Sequence, residues 1–263
     1  MMVDIHCHIL DGVDDGPRTV EEAVVLSRKL KEKGVSKVIA TPHFIGDYDL
    51  KPTPECINKK ISQLTDELHK QGIELGIYPG MEVFASDDTV DRIKKGEIIT
   101  LNNSKYVLIE FSFENVPKYM SNLLFSMQLE GYIPIIAHPE RYSIQYRKSG
   151  IIKEAVEKGA LLQINSGSLM GVHGKEVRKE AIRLLKEGMV HLIANDAHGG
   201  RRPIPAVKDV EKVLIEICGA ENTDIIFYKN PVLVFENKEV ERMSAVNKGS
   251  FIVEMLRSLR PNM

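Results

Sequence analysis

Short apolar runs alternate with amphipathic stretches along almost the whole chain. Residues 3–9 form the first apolar run and are expected to be a strand. Thr19 then opens a helix, with Glu22 three residues on completing a capping box and Gly34 past its end. Residues 35–41 are apolar and β-branched, the pattern of a buried strand. Thr53 and Pro54 start a second helix, whose Ile57, Ile61, Leu64 and Leu68 fall on one face before Gly72. A strand is expected within 73–84, and a short helix follows Ser86 and stops at Gly96. The alternation continues as strand 106–111, helix 118–130, strand 132–137, helix 151–158, strand 161–165, helix 175–187, strand 190–195 and a helix over 206–217. This makes about seven β-α units in series, with no evident linker. Repeated βα units build parallel sheets, open or closed, and a closed α/β barrel is the expectation here. Residues 237–263 have weaker periodicity and are expected to be a peripheral or frayed tail of a single domain spanning 1–263.

Composition narrows the function without naming it. A chain of 263 residues suits a single barrel. With 43% hydrophobic and 27% charged residues it can fill a core, which excludes disorder, collagen and coiled coil. Lys plus Arg number 35 against 37 Asp plus Glu, a balance that argues against nucleic acid as a general partner. Cys7, Cys56 and Cys218 are odd in number and far apart, so no disulfide framework is implied. No apolar run approaches the ~20 residues of a membrane span, and the first residues lack the basic and apolar segments of a secretory signal. The expected location is the cytoplasm, without membrane insertion.

The chemistry gathers where the strands end. Strand one carries His6 and His8, with Asp14 and Asp15 in the loop beyond it. Later strands end in Thr41-Pro42-His43, near Glu82, at Glu110, in Ala137-His138-Pro139-Glu140-Arg141, at Asn165, and in Asn195-Asp196-Ala197-His198. In a parallel barrel all these ends lie on one face, where active sites are built. Of the 8 histidines, His69, His173 and His191 lie off those ends, and the other five lie on them. His6 and His8 are two apart, so both point to one side of an extended strand, and Cys7 points away. Glu82 and Glu110 sit in apolar strands, where an ionised carboxylate is expensive unless paired or bound to a cation. Imidazole and carboxylate together suit manganese, iron or zinc at a site that is not thiolate-rich.

The segments Asp4-Ile5-His6-Cys7-His8-Ile9-Leu10, Val13-Asp14-Asp15-Gly16, Ala40-Thr41-Pro42-His43, Gly80-Met81-Glu82, Leu108-Ile109-Glu110-Phe111, Ile136-Ala137-His138-Pro139-Glu140-Arg141 and Asp196-Ala197-His198 resemble the PHP (polymerase and histidinol phosphatase) superfamily. Within it the chain is most similar to the manganese-dependent bacterial tyrosine-protein phosphatases of capsule and exopolysaccharide operons. The resemblance runs from Val3 to about Pro231, with the motifs in family order. It implies a distorted, seven-stranded TIM-like (β/α)7 barrel, the PHP fold, holding three Mn²⁺ ions. By position it assigns His6, His8, Glu82 and Asp196 to the first metal. Glu82, Glu110 and His138 fall to the second, and Asp15, His43 and His198 to the third. Arg141 matches the substrate-phosphate arginine. Arg202, followed by Pro203, matches a second phosphate contact, with Arg201 beside it as the alternative. Asn195 stands where the family usually has serine.

The implied reaction is hydrolysis of a phosphotyrosyl protein, by resemblance the tyrosine-rich tail of a kinase that governs polysaccharide synthesis. Cysteine-dependent tyrosine phosphatases need an arginine six residues after the nucleophile. Here that offset holds Val13, Ser62 and Asp224, so that chemistry is excluded. Two alternatives remain on the residues alone. One is a small-molecule phosphatase such as a histidinol phosphatase on the same cluster. The other is a metal-stabilised binding module without catalysis.

Overall fold

The structure, a computed structural model, describes residues 2–46, 52–115, 117–199 and 203–244. Its strands are β1 (Met2–Cys7), β2 (Val35–Ala40), β3 (His43–Phe44), β4 (Gly76–Pro79), β5 (Glu82–Phe84), β6 (Tyr106–Glu110), β7 (Ile133–Ala137), β8 (Leu161–Asn165) and β9 (Leu192–Ala194). Every pairing between them is parallel. One sheet has the order β1-β2-β4 and the other β3-β5-β6-β7-β8-β9. The class is therefore α/β with parallel sheets.

One expected strand ends a residue early and another region divides into two strands, for identifiable reasons. The strand expected over 35–41 ends at Ala40, and the separate strand β3 begins only after Thr41-Pro42, because proline has no N–H for a ladder. The run 73–84 breaks at Gly80-Met81, where the backbone passes so close to its neighbour that a Cβ on Gly80 would lie 2.8 Å from Ile39 Cγ2. Hydrogen bonding carries across the breaks: Thr41 N donates to Cys7 O at 2.9 Å and Glu82 N to Pro42 O at 3.1 Å. At the far edge, Asp196 N donates to His6 O at 2.9 Å and His8 N to Ala197 O at 3.0 Å.

The strands are buried on both faces, which is why they read as continuous apolar runs. One set, including Val38, Val107, Ile109, Ile136, Leu162 and Ile193, packs under the helices. Another, including Val3, Ile5, Ile39, Leu108, Ile135, Leu192 and Ala194, forms a second core of its own. Along this second set each strand changes character toward its C-terminal end. Tyr106 and Leu108 lead to Glu110, Leu161 to Gln163 and Asn165, and Leu192 and Ala194 to Asp196. β1 reaches the same result by a different device. A register shift lies between Asp4 and Cys7, and after Val3 and Ile5 the inward positions pass to His6 and His8.

Local signals terminate the helices as expected. Thr19 caps Val20–Glu32 by accepting from Glu22 N, and Thr53 caps Pro54–Lys70 by accepting from Cys56 N. The capping box is displaced by one residue, because the Glu22 carboxylate accepts from Arg18 N at 2.8 Å. The helix expected over 118–130 is Met120–Leu129.

At the opposite end of the strands, residues 237–244 run across the strand starts. Tyr106 Oη donates to Lys238 O at 2.6 Å, and Lys105 N donates to Asn237 Oδ1 at 2.9 Å. Asn230 clips Glu241 through both main-chain groups, at 2.8 and 2.9 Å, and Asn222 does the same for Ser244 at 2.8 and 3.1 Å. Residues 245–263 of the expected tail lie outside the described residues. No helix among the described residues is long and apolar enough to cross a membrane.

Candidate metal centre

All nine sequence-predicted ligands converge at the C-terminal ends of the strands. Glu82, at the start of β5, is central. Its Oε2 lies 3.2 Å from His6 Nε2, 3.2 Å from His8 Nε2 and 3.1 Å from His43 Nδ1. Its Oε1 lies 2.9 Å from His138 Nε2, which in turn is 3.6 Å from Glu110 Oε1. Asp196 Oδ1 is 3.5 Å from both His6 Nε2 and His8 Nε2, and 3.3 Å from His198 Nδ1. Asp15 Oδ1 closes the outer side, 3.1 Å from His198 Nε2 and 3.5 Å from His43 Nε2. His69 and His191 lie away from this group. His191 is buried at the strand starts, where its Nδ1 accepts from Leu162 N at 3.2 Å.

Backbone strain helps to aim two of these groups. His138 and Asp196, each just past a strand, adopt φ of 34° and 52°, a left-handed conformation uncommon for residues other than glycine, though Asn, Asp and His enter it more often than the rest. Each turns the chain sharply at the strand end and leaves the side chain over the cluster.

The donor set fits divalent cations. Glu82 Oε2 and Asp196 Oδ1 are buried without a hydrogen-bond partner, a costly state for carboxylate oxygens. His6 Nε2 and His8 Nε2 face each other at 3.3 Å. Donors around a first-row cation, with bonds of about 2.1 Å, stand about 3.4 Å apart in a tetrahedral shell. Four overlapping groups have mutually close ligand atoms: His6-His8-Glu82, His6-His138-Asp196, His43-Glu82-Glu110 and His8-Asp15-His43-His198.

Without a cation, the charges in this cluster perturb one another strongly. Burial works against a charged His6, yet the Glu82 and Asp196 carboxylates raise its pKa to about 9. His8 is likewise raised well above its ordinary value, against its burial, by Asp14 and Glu82. Burial and the neighbouring Glu82 charge push Glu110 up to about 7. A hydrogen bond from His198 holds Asp15 down at about 2. These protons occupy nitrogens that a metal needs free. Loading Zn²⁺ or Mn²⁺ at pH 7 is therefore expected to release at least one proton per protein, and the affinity to rise with pH toward 9. Calorimetric titration in buffers of different ionisation enthalpy measures that release, and none would contradict the assignment.

Three residues around the cluster were not singled out as partners of the ligands by sequence reasoning. Asp14 Oδ2 lies 2.7 Å from His8 Nδ1 and accepts from His43 N at 3.2 Å. Gln163 and Asn165 contact His6 and Asp196 from β8. The signal for the last two was present: polar side chains two apart in the otherwise apolar run Leu-Leu-Gln-Ile-Asn.

Arg141 lies at the rim. Its Nη1 donates to Asp196 Oδ2 at 2.9 Å, and its guanidinium sits 4.8 Å from the centre of the Phe113 ring. Pairing with Glu140 does not occur, because that carboxylate is buried and accepts from Asn165 N and Ser168 Oγ. Arg141, Phe113, Phe84 and Ile45 line a cleft of about 530 Å³ whose floor holds Glu82, Glu110, His138 and Asp196. Arg201 and Arg202 lie outside the described residues. Asn195 donates to Asp4 Oδ2 at 2.7 Å and so helps to fix the strand end beside the cluster.

A parallel α/β fold with a histidine-carboxylate cluster at its strand ends defines a metal-site protein. The chain belongs to the family described as capsular polysaccharide synthesis, CpsB/CapC, which matches residues 2–236. Tyrosine-protein phosphatase YwqE of Bacillus subtilis (strain 168) is 36% identical over 242 residues, covering 92% of this chain and 94% of that protein. Tyrosine-protein phosphatase CpsB of Streptococcus agalactiae serotype V is 32% identical over 243 residues, covering 90% and 99%. A solved structure from work on YwqE of Bacillus subtilis and CpsB of Streptococcus pneumoniae, described as unique metal-dependent tyrosine phosphatases, superposes with a TM-score of 0.87. It is 34% identical and covers 94% of this chain and 98% of its own.

Proposed function

We propose that this protein is a metal-dependent protein-tyrosine phosphatase, a hydrolase of phosphotyrosyl esters. One observation carries the reading: nine ligand-type side chains cluster together, and all of them but His6 and His8 line a cleft that has Arg141 at its rim. The relationship to tyrosine phosphatases over nearly the full chain supports it. We read the two sheets as one distorted seven-stranded barrel, supported by the hydrogen bonds that bridge β1 to the segment after β9. His6, His8, Glu82 and Asp196 hold the first cation, Glu82, Glu110 and His138 the second, and Asp15, His43 and His198 the third. Mn²⁺ is the proposed metal, which the nitrogen and oxygen donors suit. The proposed substrate is a bacterial tyrosine kinase tail in the cytoplasm; the family description supports the link to capsular polysaccharide synthesis.

Divalent cations held there supply charge for the phosphoryl oxygens and lower the pKa of water. The chain's own residues do the rest. Glu82, Glu110 and Asp196 supply the negative charge that would offset the cations, and Glu82 Oε2 and Asp196 Oδ1 are buried without a hydrogen-bond partner. Arg141 keeps one N–H on Asp196 and offers the rest of a planar, permanently charged fork to phosphate oxygens. Phe113 lies against that guanidinium and limits its movement. The leaving phenolate has a pKa of about 10 and departs more readily than an alkoxide. Cys7 takes no part, since burial pushes its thiol well up and its Sγ lies 3.7 Å from Ala197 O.

Arg141→Ala tests this reading. Its metal content and circular dichroism are expected to match wild type, with kcat/KM on a phosphotyrosyl peptide lowered at least about tenfold, or ~1.4 kcal/mol of barrier. Arg141→Lys is expected to rescue only part, since a point charge replaces the fork. Unchanged kinetics, or a loss that follows metal content alone, would refute the role. Faster turnover of histidinol phosphate than of phosphotyrosyl peptide would move the substrate assignment to small molecules.

A further inference from the structure

β8 presents two amide side chains, Gln163 and Asn165, both fully buried, to the face that holds the cluster. Asn165 Nδ2 donates to Asp196 Oδ2 at 2.6 Å. Gln163 Nε2 donates to Asn165 Oδ1 at 2.8 Å, and Gln163 Oε1 lies 2.9 Å from His6 Nδ1. The direction of this chain follows from its carboxylate end. An ionised carboxylate only accepts, so Asn165 must turn its NH2 to Asp196 and its carbonyl to Gln163. Gln163 must then spend its amide N–H on Asn165 and keep its carbonyl toward His6. An acceptor facing Nδ1 requires Nδ1 to carry a proton, which leaves Nε2 as the nitrogen that presents a lone pair once a cation has displaced its proton.

The two ends of the chain match what the cluster needs. His6 Nε2 is the atom that lies 3.3 Å from His8 Nε2 and 3.2 Å from Glu82 Oε2. Asp196 Oδ2 is taken by Asn165 and by Arg141 at 2.9 Å, and Asp196 Oδ1 has no hydrogen-bond partner. That bare oxygen lies 3.5 Å from His6 Nε2.

We propose that Gln163 and Asn165 are positioning residues, a one-way hydrogen-bond relay that holds His6 as its Nδ1–H tautomer and reserves Asp196 Oδ1 for the same cation. The proposal rests on the metal reading of the cluster. It assigns β8, which supplies no proposed ligand, the task of setting two ligands carried by β1 and by the turn after β9. Amides that merely filled buried space would satisfy each other equally well in either direction, and metal affinity would not depend on them.

Zn²⁺ titration of metal-stripped protein, followed by calorimetry and by ¹⁵N spectra of the histidine rings, tests the relay. The Zn²⁺-loaded wild type is expected to show His6 protonated at Nδ1. Gln163→Leu removes the acceptor and is expected to weaken Zn²⁺ binding at least about tenfold, as loss of a ligand-orienting partner does. Gln163→Glu keeps the acceptor but cannot donate to Asn165. It is expected to retain the Nδ1–H signal while losing affinity through Asp196. Unchanged Zn²⁺ affinity in Gln163→Leu overturns the relay. So does a wild-type His6 protonated at Nε2, a result that stands even where the variant fails to fold. Failure of the wild type to bind Zn²⁺ is a separate result, which removes the metal reading and the relay with it.

Discussion

Glu82→Gln is expected to cost at least about 10³-fold in kcat/KM on a phosphotyrosyl peptide, equivalent to ~4 kcal/mol of barrier. It is also expected to strip most of the bound metal. Both carboxylate oxygens face histidines: Oε2 lies 3.1–3.2 Å from nitrogens of His6, His8 and His43, and Oε1 lies 2.9 Å from His138 Nε2. Among the described residues, no other carboxylate lies so close to histidines assigned to all three cations. An amide of the same size keeps one acceptor, but turns an NH2 donor toward nitrogens that must present lone pairs. It also removes the charge that offsets the cations. Metal analysis beside steady-state kinetics reads the outcome, with circular dichroism as the check on folding. Wild-type turnover with a full metal complement would remove Glu82 from the centre of the site.

Exhaustive chelation is expected to have an effect at least as large. Metal-stripped enzyme should fall to background turnover and recover on adding Mn²⁺, because the side chains alone provide no activated nucleophile. Alkylation with iodoacetamide should leave activity largely intact. Cys7 is buried beside the cluster, and Cys56 and Cys218 lie on helices away from the cleft. Chelation should also lower the melting temperature, since a ligand that binds only the folded state stabilises it by mass action. Full activity in protein shown to be free of metal would end the metal-dependent reading. Inactivation by the alkylating agent with metal retained would redirect attention to a thiol.

Much of this site is legible in one dimension for a simple reason. A parallel strand delivers its last residues to a common face, so ligands from distant segments become neighbours without any local contact among them. His43, His138 and His198 each follow an apolar run, and that position alone predicts where they go. The elements were legible on similar grounds. Thr19 and Thr53 cap helices because their hydroxyls accept from main-chain N–H groups that would otherwise lack partners. At Pro42 the chain leaves its strand for a local reason, the missing N–H, but within 73–84 a tertiary contact intervenes. Gly80 interrupts an apolar run because Ile39 crowds it from the neighbouring strand, and nothing within the segment itself announces that approach.

The order of strands and helices, the parallel character of the sheets and the residues able to bind metal were determined by the sequence itself, through periodicity, capping and position at strand ends. The tertiary structure decided how those residues act together. A register shift in β1 moves the inward positions from Val3 and Ile5 to His6 and His8, and a simple alternation cannot encode it. Which oxygen of Asp196 is bare depends on Asn165 and Arg141, from two other strand ends. Which nitrogen of His6 faces the cluster depends on Gln163, 157 positions away in the chain. Periodicity reports the environment of a residue averaged over its own element. Hydrogen-bond direction and protonation are set by single atoms brought from elsewhere, and only the folded chain places them.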